Sequence, residues 1–326
     1  MKNILVTGGA GYIGSHIVEL LIKKKFNVFI IDNLSTGYRK LINKKAKFFN
    51  IDINKFSKVR KVIEESKVDS VIHLAAKTNV AEAEKKPKLY HANNITGTLN
   101  LIKACNSSHV KNFIFSSTCA VYDSKLRFVK ETSKTMPKGV YGITKLKAEK
   151  IIKKYFNNKK INYAILRYFN VVGASPSKKI GQINKDDQLF KNLSLATMRK
   201  NPVFNIYGND YDTFDGTCVR DFIHVCDLAD IHIQTLLKLN IISKSVVLNC
   251  GYGKGLSVFQ VINEFRNFSK KSVEINFKNR RNDDIVEMVS NTKKLKKFLK
   301  WKPKFDDLKK MVKSSIYWEK KLVRTN

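Results

Sequence analysis

The fold is decided by Thr7-Gly8-Gly9-Ala10-Gly11-Tyr12-Ile13-Gly14, in which glycines recur every third residue from Gly8. This stretch follows an apolar segment, 3–7, which predicts a strand, and it opens an amphipathic segment, 12–24, which predicts a helix. Gly8 permits a tight turn, Gly11 lets the backbone approach a pyrophosphate, and Gly14 lets the helix lie close to the strand. The free N–H groups at the helix N-terminus favour an anion there. The stretch therefore predicts a site that cradles the phosphates of a dinucleotide.

An acidic residue, Asp32, follows the second predicted strand, 27–31. A carboxylate at this place can accept hydrogen bonds from the adenosine ribose hydroxyls, and it repels a 2′-phosphate. Glycine loops also occur as simple connections, which is the alternative interpretation. The strand before the glycines, the helix after them and Asp32 together favour the dinucleotide site, and they predict NAD rather than NADP as cofactor.

Strand-like segments recur along the first half of the chain, at 47–51, 70–74, 112–117 and 162–167, with helical stretches between them. Such alternation is typical of a parallel sheet covered by helices on both faces. The pattern breaks after Val172, in a segment rich in Gly, Pro, Ser and Lys. Later segments predict helices at 188–199, 225–239 and 305–321 and a strand at 245–250.

The predicted fold class is α/β. We expect a Rossmann-like doubly wound parallel sheet in residues 1–172, joined by a returning segment at about 225–250. Residues 173–224 and 251–326 are predicted to form a smaller C-terminal α/β lobe that binds the substrate. A chain of 326 residues has the length of one large domain with a lobe, or of two domains.

The net charge is unusually positive: 62 Lys and Arg against 27 Asp and Glu leave +35. Such a charge usually indicates nucleic acid or an anionic membrane as partner. Here 52 of the cations are Lys and 10 are Arg, and they are spread over almost the whole chain. Surfaces that bind phosphate cluster their cations and favour Arg. We therefore interpret the charge as solvated lysine, and we expect neither nucleic acid nor a membrane as partner.

Other classes of protein are disfavoured by simple counts. No run of about 18 apolar residues is present, which disfavours a transmembrane helix, and the apolar start is too short for a secretory signal. The five cysteines form no Cys-x-x-Cys pair, which disfavours a disulfide framework and a thiolate zinc site. We expect a cytoplasmic protein without a metal.

Two further motifs carry groups suited to proton transfer. Ser116-Ser117-Thr118 ends a predicted strand, and Tyr141-Gly142-Ile143-Thr144-Lys145 starts a predicted helix. Tyr141 and Lys145 are four residues apart, so both side chains project from one helical face. A neighbouring ammonium and a nicotinamide cation would both stabilise the phenolate. Tyr141 could then take a hydroxyl proton while a hydride leaves for the nicotinamide. An ordinary Tyr and Lys on a helix is the alternative interpretation.

The glycine loop and the Tyr-x-x-x-Lys pair resemble the signatures of the extended short-chain dehydrogenase/reductase superfamily. Within it, the block 207–217, the segment 219–225 and Asp227-Leu228-Ala229 resemble the UDP-glucose 4-epimerase family, and the resemblance covers almost the whole chain. It implies an isomerase with tightly held NAD that epimerises C4 of a UDP-hexose through a transient 4-keto sugar. It also implies a homodimer, formed by helices that begin near Lys88 and Tyr141.

The resemblance also implies roles for individual residues. Tyr141 would be the acid/base, Lys145 would hold the nicotinamide ribose, and Thr118 would hydrogen-bond the sugar 4-hydroxyl. The implied cofactor-binding residues are Gly8, Gly11, Tyr12, Ile13, Gly14, Asp32, Asn33, Asp52, Ile53, Leu74, Ala75, Ala76, Asn93, Tyr141, Lys145 and Phe169. The implied substrate-binding residues are Thr118, Tyr141, Asn170, Leu189, Arg220, Arg281, Asp284 and Met288. The two arginines would clamp the diphosphate, and Met288 would line the sugar pocket and influence the choice of sugar.

Three alternatives differ in what they require. A nucleotide-sugar dehydratase or decarboxylase of the same superfamily needs acidic residues directly after the strand-end Thr, where this chain has Cys119 and Ala120. A nucleic-acid-binding protein with a vestigial nucleotide fold is disfavoured by the scarcity of Arg and by the intact Tyr141/Lys145 pair. A 4-epimerase for UDP-N-acetylhexosamines or UDP-pentoses remains open.

Overall fold

A computed structural model describes residues 2–157, 161–184, 188–281 and 284–325. The strands in chain order are β1 (Asn3–Thr7), β2 (Asn27–Asp32), β3 (Lys47–Asn50), β4 (Ser70–His73), β5 (Asn112–Thr118), β6 (Phe128–Val129), β7 (Asn162–Tyr168), β8 (Asn170–Val172), β9 (Val203–Tyr207), β10 (Val219–His224), β11 (Val246–Cys250), β12 (Gly255–Ser257), β13 (Glu274–Lys278) and β14 (Glu287–Ser290). The helices are α1 (Tyr12–Lys23), α2 (Phe56–Glu65), α3 (Val80–Lys85), α4 (Pro87–His91), α5 (Thr98–Asn106), α6 (Val140–Phe156), α7 (Leu189–Met198), α8 (Val225–Ile242), α9 (Val258–Ser269), α10 (Lys293–Leu299) and α11 (Leu308–Thr325). A π-helical segment, Ala92–Gly97, joins α4 to α5.

The large sheet has seven strands in the order β11-β7-β5-β4-β1-β2-β3, and every pair in it is parallel. The predicted doubly wound parallel sheet is thus confirmed. The strand order reverses at β1, which lies between β2 and β4. In open α/β sheets, ligands bind at such a reversal, outside the carboxyl ends of the strands. The glycine loop leaves β1 at this edge.

Alternation along the strands creates an apolar layer on each face of the large sheet. On β1, the side chains of Ile4 and Val6 join the cluster that contains α1 and α8, whereas Leu5 joins the cluster that contains α2, α5 and α6. All three side chains are completely buried. Because successive side chains on a strand point to opposite faces, a strand buried on both faces needs this continuous apolar run.

A smaller lobe surrounds a second sheet in the order β12-β10-β14-β6, with β8 paired to β10, and a separate pair of β13 and β9. Helices α7, α9 and α11 pack against one another in this lobe. Two of its strands, β6 and β8, come from the first 172 residues. The chain returns to the large sheet later, where β11 pairs with β7 and α8 packs on α1.

The ends of the elements differ from the sequence-based expectations by a few residues. The last helix starts at Leu308 instead of residue 305, because the carboxylate of Asp307 accepts hydrogen bonds from the backbone N–H groups of Lys309 and Lys310 and so caps the helix. In the part of the chain that the structure describes, no helix is both long and apolar enough to span a membrane.

Candidate active site

A cleft of about 1170 Å³ opens at the carboxyl ends of the large sheet, between the sheet and the smaller lobe. It brings together residues that are far apart in sequence. The predicted site residues that line it are Gly8, Gly11, Tyr12, Ile13, Gly14, Asp32, Asn33, Ile53, Leu74, Ala75, Ala76, Asn93, Thr118, Tyr141, Phe169, Asn170, Leu189, Arg220, Arg281 and Asp284. Asp52, Lys145 and Met288 lie outside the lining.

The glycine loop accepts no larger residue at its turns. Gly8 has φ +74°, and a Cβ there would lie 2.7 Å from the backbone nitrogen of Ala75. A Cβ on Gly14 would lie 2.1 Å from the carbonyl oxygen of Gly8. Helix α1 therefore starts in direct contact with the glycine loop. Its N-cap is Gly11, and no side chain caps its first N–H groups. These free donors open into the cleft, which suits a pyrophosphate.

Asp32 stands at the end of β2, where the adenosine ribose of a dinucleotide would lie. Its carboxylate accepts hydrogen bonds from the backbone N–H groups of Ala10 (3.0 Å) and Leu34 (2.8 Å), which hold it in place. Burial raises the pKa of this carboxyl, and the two hydrogen bonds oppose the rise. Next to it, the side-chain amide of Asn33 donates a hydrogen bond to the Asp52 carboxylate at 2.8 Å. Asp52, which lies outside the cleft lining, thus holds Asn33 in place. The cradle and the fixed carboxylate fit a dinucleotide with a free 2′-hydroxyl.

Tyr141 lines the cleft from the first turn of α6, opposite the end of β5. Burial raises the pKa of its phenol to about 12, and a hydrogen bond with Thr118 opposes the rise. At this value, Tyr141 of the ligand-free protein is almost entirely protonated at neutral pH. It can act as a base only when positive charge is brought near it.

Lys145 lies one turn further along α6, beneath the surface of the cleft, and is 2 % exposed. Its ammonium sits 4.4 Å from the centre of the Phe115 ring. Burial lowers the pKa of Lys145 to about 7, and the charge of Glu149 opposes this effect. Lys145 is therefore poised between its charged and neutral forms near neutral pH.

Sequence reasoning missed Glu149, a completely buried carboxylate one further turn along α6. Its two oxygens accept hydrogen bonds from Ser117 Oγ (2.5 Å) and from the guanidinium of Arg167 (2.9 and 2.6 Å). The signal was present: residues 141, 145 and 149 recur at intervals of four, so they share one helical face.

Asn94 was also missed, because nothing in the sequence indicates the π-helical segment that places it. Its side chain accepts from the backbone N–H of Lys77 (2.8 Å) and donates to the Lys77 carbonyl (3.0 Å) and to Thr144 Oγ1 (3.2 Å). Asn94 thus connects the loop after β4 to α6, the helix that carries Tyr141 and Lys145. Asn93, its neighbour, lines the cleft. Wide turns of this kind occur frequently at functional sites.

The far wall of the cleft comes from the smaller lobe. Arg220 of β10 pairs with Asp284 at 2.9 Å, and the guanidinium of Arg281 lies 4.1 Å from the centre of the Tyr207 ring. The first turn of α7, starting at Leu189, also lines this wall. Two guanidinium groups and a helix N-terminus at one place form an environment suited to a diphosphate.

Met288 does not line the cleft, contrary to the expectation from sequence. Its side chain is 2 % exposed and lies in an apolar cluster with Val121, Tyr122, Val129 and Phe169. The physical reason is the place of β14 inside the smaller sheet, between β10 and β6, which directs Met288 into this cluster. Phe169 belongs both to the cluster and to the cleft wall. Any effect of Met288 on the choice of sugar therefore stays a prediction, and it would act through Phe169.

The residues after Thr118 lack a second acid/base pair. Ala120 has no titratable group, and burial raises the pKa of the Cys119 thiol to about 11. Cys119 is thus a neutral thiol at neutral pH. The arrangement supports one proton transfer at a hydroxyl beside Tyr141, together with hydride transfer to a dinucleotide. It does not support the elimination of water.

Comparison with known proteins gives a consistent result. Residues 4–251 match the model of the NAD dependent epimerase/dehydratase family. The chain is 38% identical over 321 residues to a UDP-glucose 4-epimerase of Azospirillum brasilense, covering 98% of this chain and 92% of that protein. A solved UDP-glucose-4-epimerase of Stenotrophomonas maltophila with bound NAD and formylated UDP-arabinopyranose superposes with a TM-score of 0.96 at 32% identity, covering 100% of both chains. A UDP-Glc/GlcNAc 4-epimerase of Campylobacter jejuni superposes with a TM-score of 0.86 at 37% identity, covering 98% of this chain and 100% of that one.

Proposed function

This chain belongs to the NAD dependent epimerase/dehydratase family, and we propose that it interconverts UDP-glucose and UDP-galactose by inverting C4 of the sugar. It is an NAD-dependent 4-epimerase of UDP-hexoses, like its relatives. The observation that carries the choice of reaction is the Tyr141 phenol, hydrogen-bonded to Thr118 in a cleft that also holds the glycine loop.

The residues of the chain divide the work of the reaction. Thr118 orients the 4-hydroxyl, and Tyr141 takes its proton and later returns it. The buried ammonium of Lys145 lowers the cost of the phenolate. NAD, held by the glycine loop and Asp32, would supply a reversible hydride acceptor for C4 of the sugar. Because the hydride returns, the net redox change is zero.

The UDP moiety is held by the wall that belongs to the smaller lobe. Arg220 and Arg281 offer two guanidinium groups to the diphosphate, and Asn170 and Leu189 line the same cleft. Arg220 already has an anionic partner, Asp284, so the diphosphate replaces or shares that contact. Because the UDP moiety anchors the substrate to this wall, the hexose can turn over and present either face to Thr118 and Tyr141, which the reaction requires.

The decisive experiment uses the purified protein with UDP-galactose and no added nucleotide, and follows the appearance of UDP-glucose. We expect conversion when NAD copurifies, and conversion after NAD is supplied when it does not. The matched control is Tyr141→Phe, which keeps the ring but loses the hydroxyl and should lower turnover by ~100-fold or more. No conversion under either condition would refute the proposal.

A second candidate substrate class, the UDP-N-acetylhexosamines, is favoured by one observation. The relative from Campylobacter jejuni acts on both UDP-Glc and UDP-GlcNAc. In this chain the residue at position 288 is a Met that lies behind the cleft wall, so no bulky aromatic side chain at that position narrows the cleft. Comparing kcat/KM for UDP-galactose and UDP-N-acetylgalactosamine shows whether the protein turns over the N-acetylated sugar less efficiently or excludes it.

We also propose a homodimer in the cytoplasm, with NAD held mainly by the large-sheet half and the UDP-sugar by the smaller lobe. Helices α4 and α6, which the family resemblance implicates in the dimer, pack against each other, and Leu89 of α4 is 40% exposed. The five cysteines are free thiols, which is compatible with a reducing compartment. Light scattering after gel filtration would measure the mass, and a monomer would contradict the dimer.

A further inference from the structure

A buried ion pair links α6, the helix that carries Tyr141 and Lys145, to the large sheet. Glu149 of α6 and Arg167 of β7 are 2.6 Å apart, with side-chain exposures of 0% and 3%. Both oxygens of Glu149 accept from the guanidinium, and one also accepts from Ser117 Oγ at 2.5 Å. On its other side, Arg167 donates to the carbonyl of Glu131 and stacks over the Tyr122 ring at 4.8 Å. The carboxylate is therefore held rigidly by two strands of the large sheet.

The free energy of folding does not by itself explain a buried ion pair. Removing two charges from water costs several kcal/mol per ion, and apolar residues of similar volume are often as stable or better. The surrounding residues of α6 and the sheet, such as Ala148, Ile152 and Phe113, already form a continuous apolar core. An ion pair at this place therefore points to an electrostatic task.

The charge of Glu149 favours the protonated form of two lysines on α6, Lys145 and Lys153, and Lys145 is the more deeply buried of the two. It lies one helical turn before Glu149 on the same face of α6, and it is 2 % exposed. On the side of β4, Lys145 meets His73, which contributes no negative charge. His73 is buried, its pKa is lowered to about 3 by burial, and its ring is hydrogen-bonded to Thr7 and Thr98. From β5, Lys145 meets the apolar Phe115 ring. The charge that favours its protonated form comes from Glu149.

We propose that Glu149 is a positioning residue, which keeps the Lys145 ammonium charged and oriented toward Tyr141, while Ser117 and Arg167 hold the Glu149 carboxylate in place. The consequence for the reaction rests on the proposed function, because only in that reaction does the charge of Lys145 lower the cost of the Tyr141 phenolate. The effect on Lys145 itself does not depend on that function. The two can therefore be tested separately.

The first test measures Lys145 in the ligand-free protein. Lysine is labelled with carbon-13 at Cε, and the signal that titrates near neutral pH is assigned by its loss in Lys145→Met. Glu149→Gln removes the charge but keeps the shape, so we expect the titration midpoint to fall by about 1 unit or more. Glu149→Asp keeps the charge and should keep the midpoint closer to that of the wild type.

A matched control separates this effect from a loss of stability. Lys191 and Glu319 form another buried ion pair, 2.6 Å apart, which joins α7 to α11. Glu319→Gln should lower the melting temperature as Glu149→Gln does, yet leave the Lys145 midpoint unchanged. If Glu149→Gln does not fold, the double variant Glu149→Gln/Arg167→Met also removes the guanidinium left unpaired, and it should still lower the midpoint, but by less, because the Arg167 charge is lost together with that of Glu149.

The second test measures the pH dependence of turnover. Glu149→Gln leaves a smaller fraction of Lys145 charged near neutral pH, so the acidic limb of its kcat profile should move upward, and Glu149→Asp should restore much of the wild-type profile. A folded Glu149→Gln or double variant with an unchanged Lys145 midpoint would overturn the proposal. A shifted midpoint without epimerase activity in the wild type would instead refute the proposed function.

Discussion

Lys145→Met removes the buried charge beside Tyr141 at nearly constant volume. Burial raises the pKa of the Tyr141 phenol to about 12, so Tyr141 can act as a base at neutral pH only when nearby positive charge stabilises its phenolate. Side chains four apart on a helix have Cβ atoms about 5–6 Å apart. For charges about 5–6 Å apart and an effective dielectric constant of about 20, one positive charge stabilises a phenolate by about 3 kcal/mol, or about 2 pKa units.

Losing the Lys145 charge therefore raises the free-energy cost of the phenolate by about this amount. We expect Lys145→Met to move the acidic limb of the kcat profile upward by about 2 pH units. At neutral pH this shift corresponds to a rate about 100-fold lower. The two profiles should converge at high pH, where Lys145 of the wild type has also lost its charge.

The assay is the initial rate of UDP-galactose conversion at saturating substrate and NAD, from roughly pH 6 to 10, with bound NAD measured in the same samples. The control is Lys153→Met, which removes a partly exposed lysine from the same helix, two turns beyond Lys145 and outside the cleft lining. The electrostatic explanation is refuted if Lys145→Met lowers kcat by one constant factor at every pH.

Four further outcomes can be measured independently. Because burial lowers the pKa of Lys145 to about 7 in the folded protein, the unfolded chain binds more protons between that pH and the ordinary lysine value. Burying Lys145 thus lowers the free energy of unfolding by its full amount below about pH 7, and this cost falls as the pH rises toward about 10.4. Lys145→Met should therefore raise the melting temperature more at pH 6 than at pH 10. Asp32 should exclude NADP, since a 2′-phosphate about 4 Å from its carboxylate costs about 4 kcal/mol per charge at an effective dielectric constant of 20; cofactor released from the protein should be NAD, and NADP there would contradict the role of Asp32. Arg220→Ala should raise KM for the UDP-sugar more than it lowers kcat, and the reverse split would show that Arg220 acts on the chemical step. Met288→Ser should narrow the preference for UDP-galactose over UDP-N-acetylgalactosamine, by up to ~1–3 kcal/mol in kcat/KM, and an unchanged ratio would mean that the Met288 cluster does not control specificity.

Local motifs in the sequence were sufficient to predict the glycine-loop end of the cleft. The strand, glycine loop, helix and Asp32 follow one another within 30 residues, from Asn3 to Asp32, and each step depends on backbone geometry that residue type dictates directly. The Tyr141 and Lys145 pair is equally local, since a spacing of four residues places both on one face of any helix. The parallel sheet itself follows from the alternation of apolar segments with helical ones.

Other features depended on contacts between distant parts of the chain. Glu149 and Arg167 lie on different elements, and only the packing of α6 on β7 brings them to 2.6 Å. The π-helical segment that directs Asn94 into the interior has no signature in the residues that form it.

Met288 illustrates the physical reason most clearly. Its type and its distance from Asp284 are visible in the sequence, but the direction of its side chain is set by the pairing of β14 with β10 and β6. A shift of one residue in strand register turns every side chain to the opposite face. The sequence by itself determines which local geometries and which chemical groups are available, because these depend on neighbours along the chain. The tertiary structure alone decides which of those groups meet, because helix packing and strand register are set by the burial of the whole core.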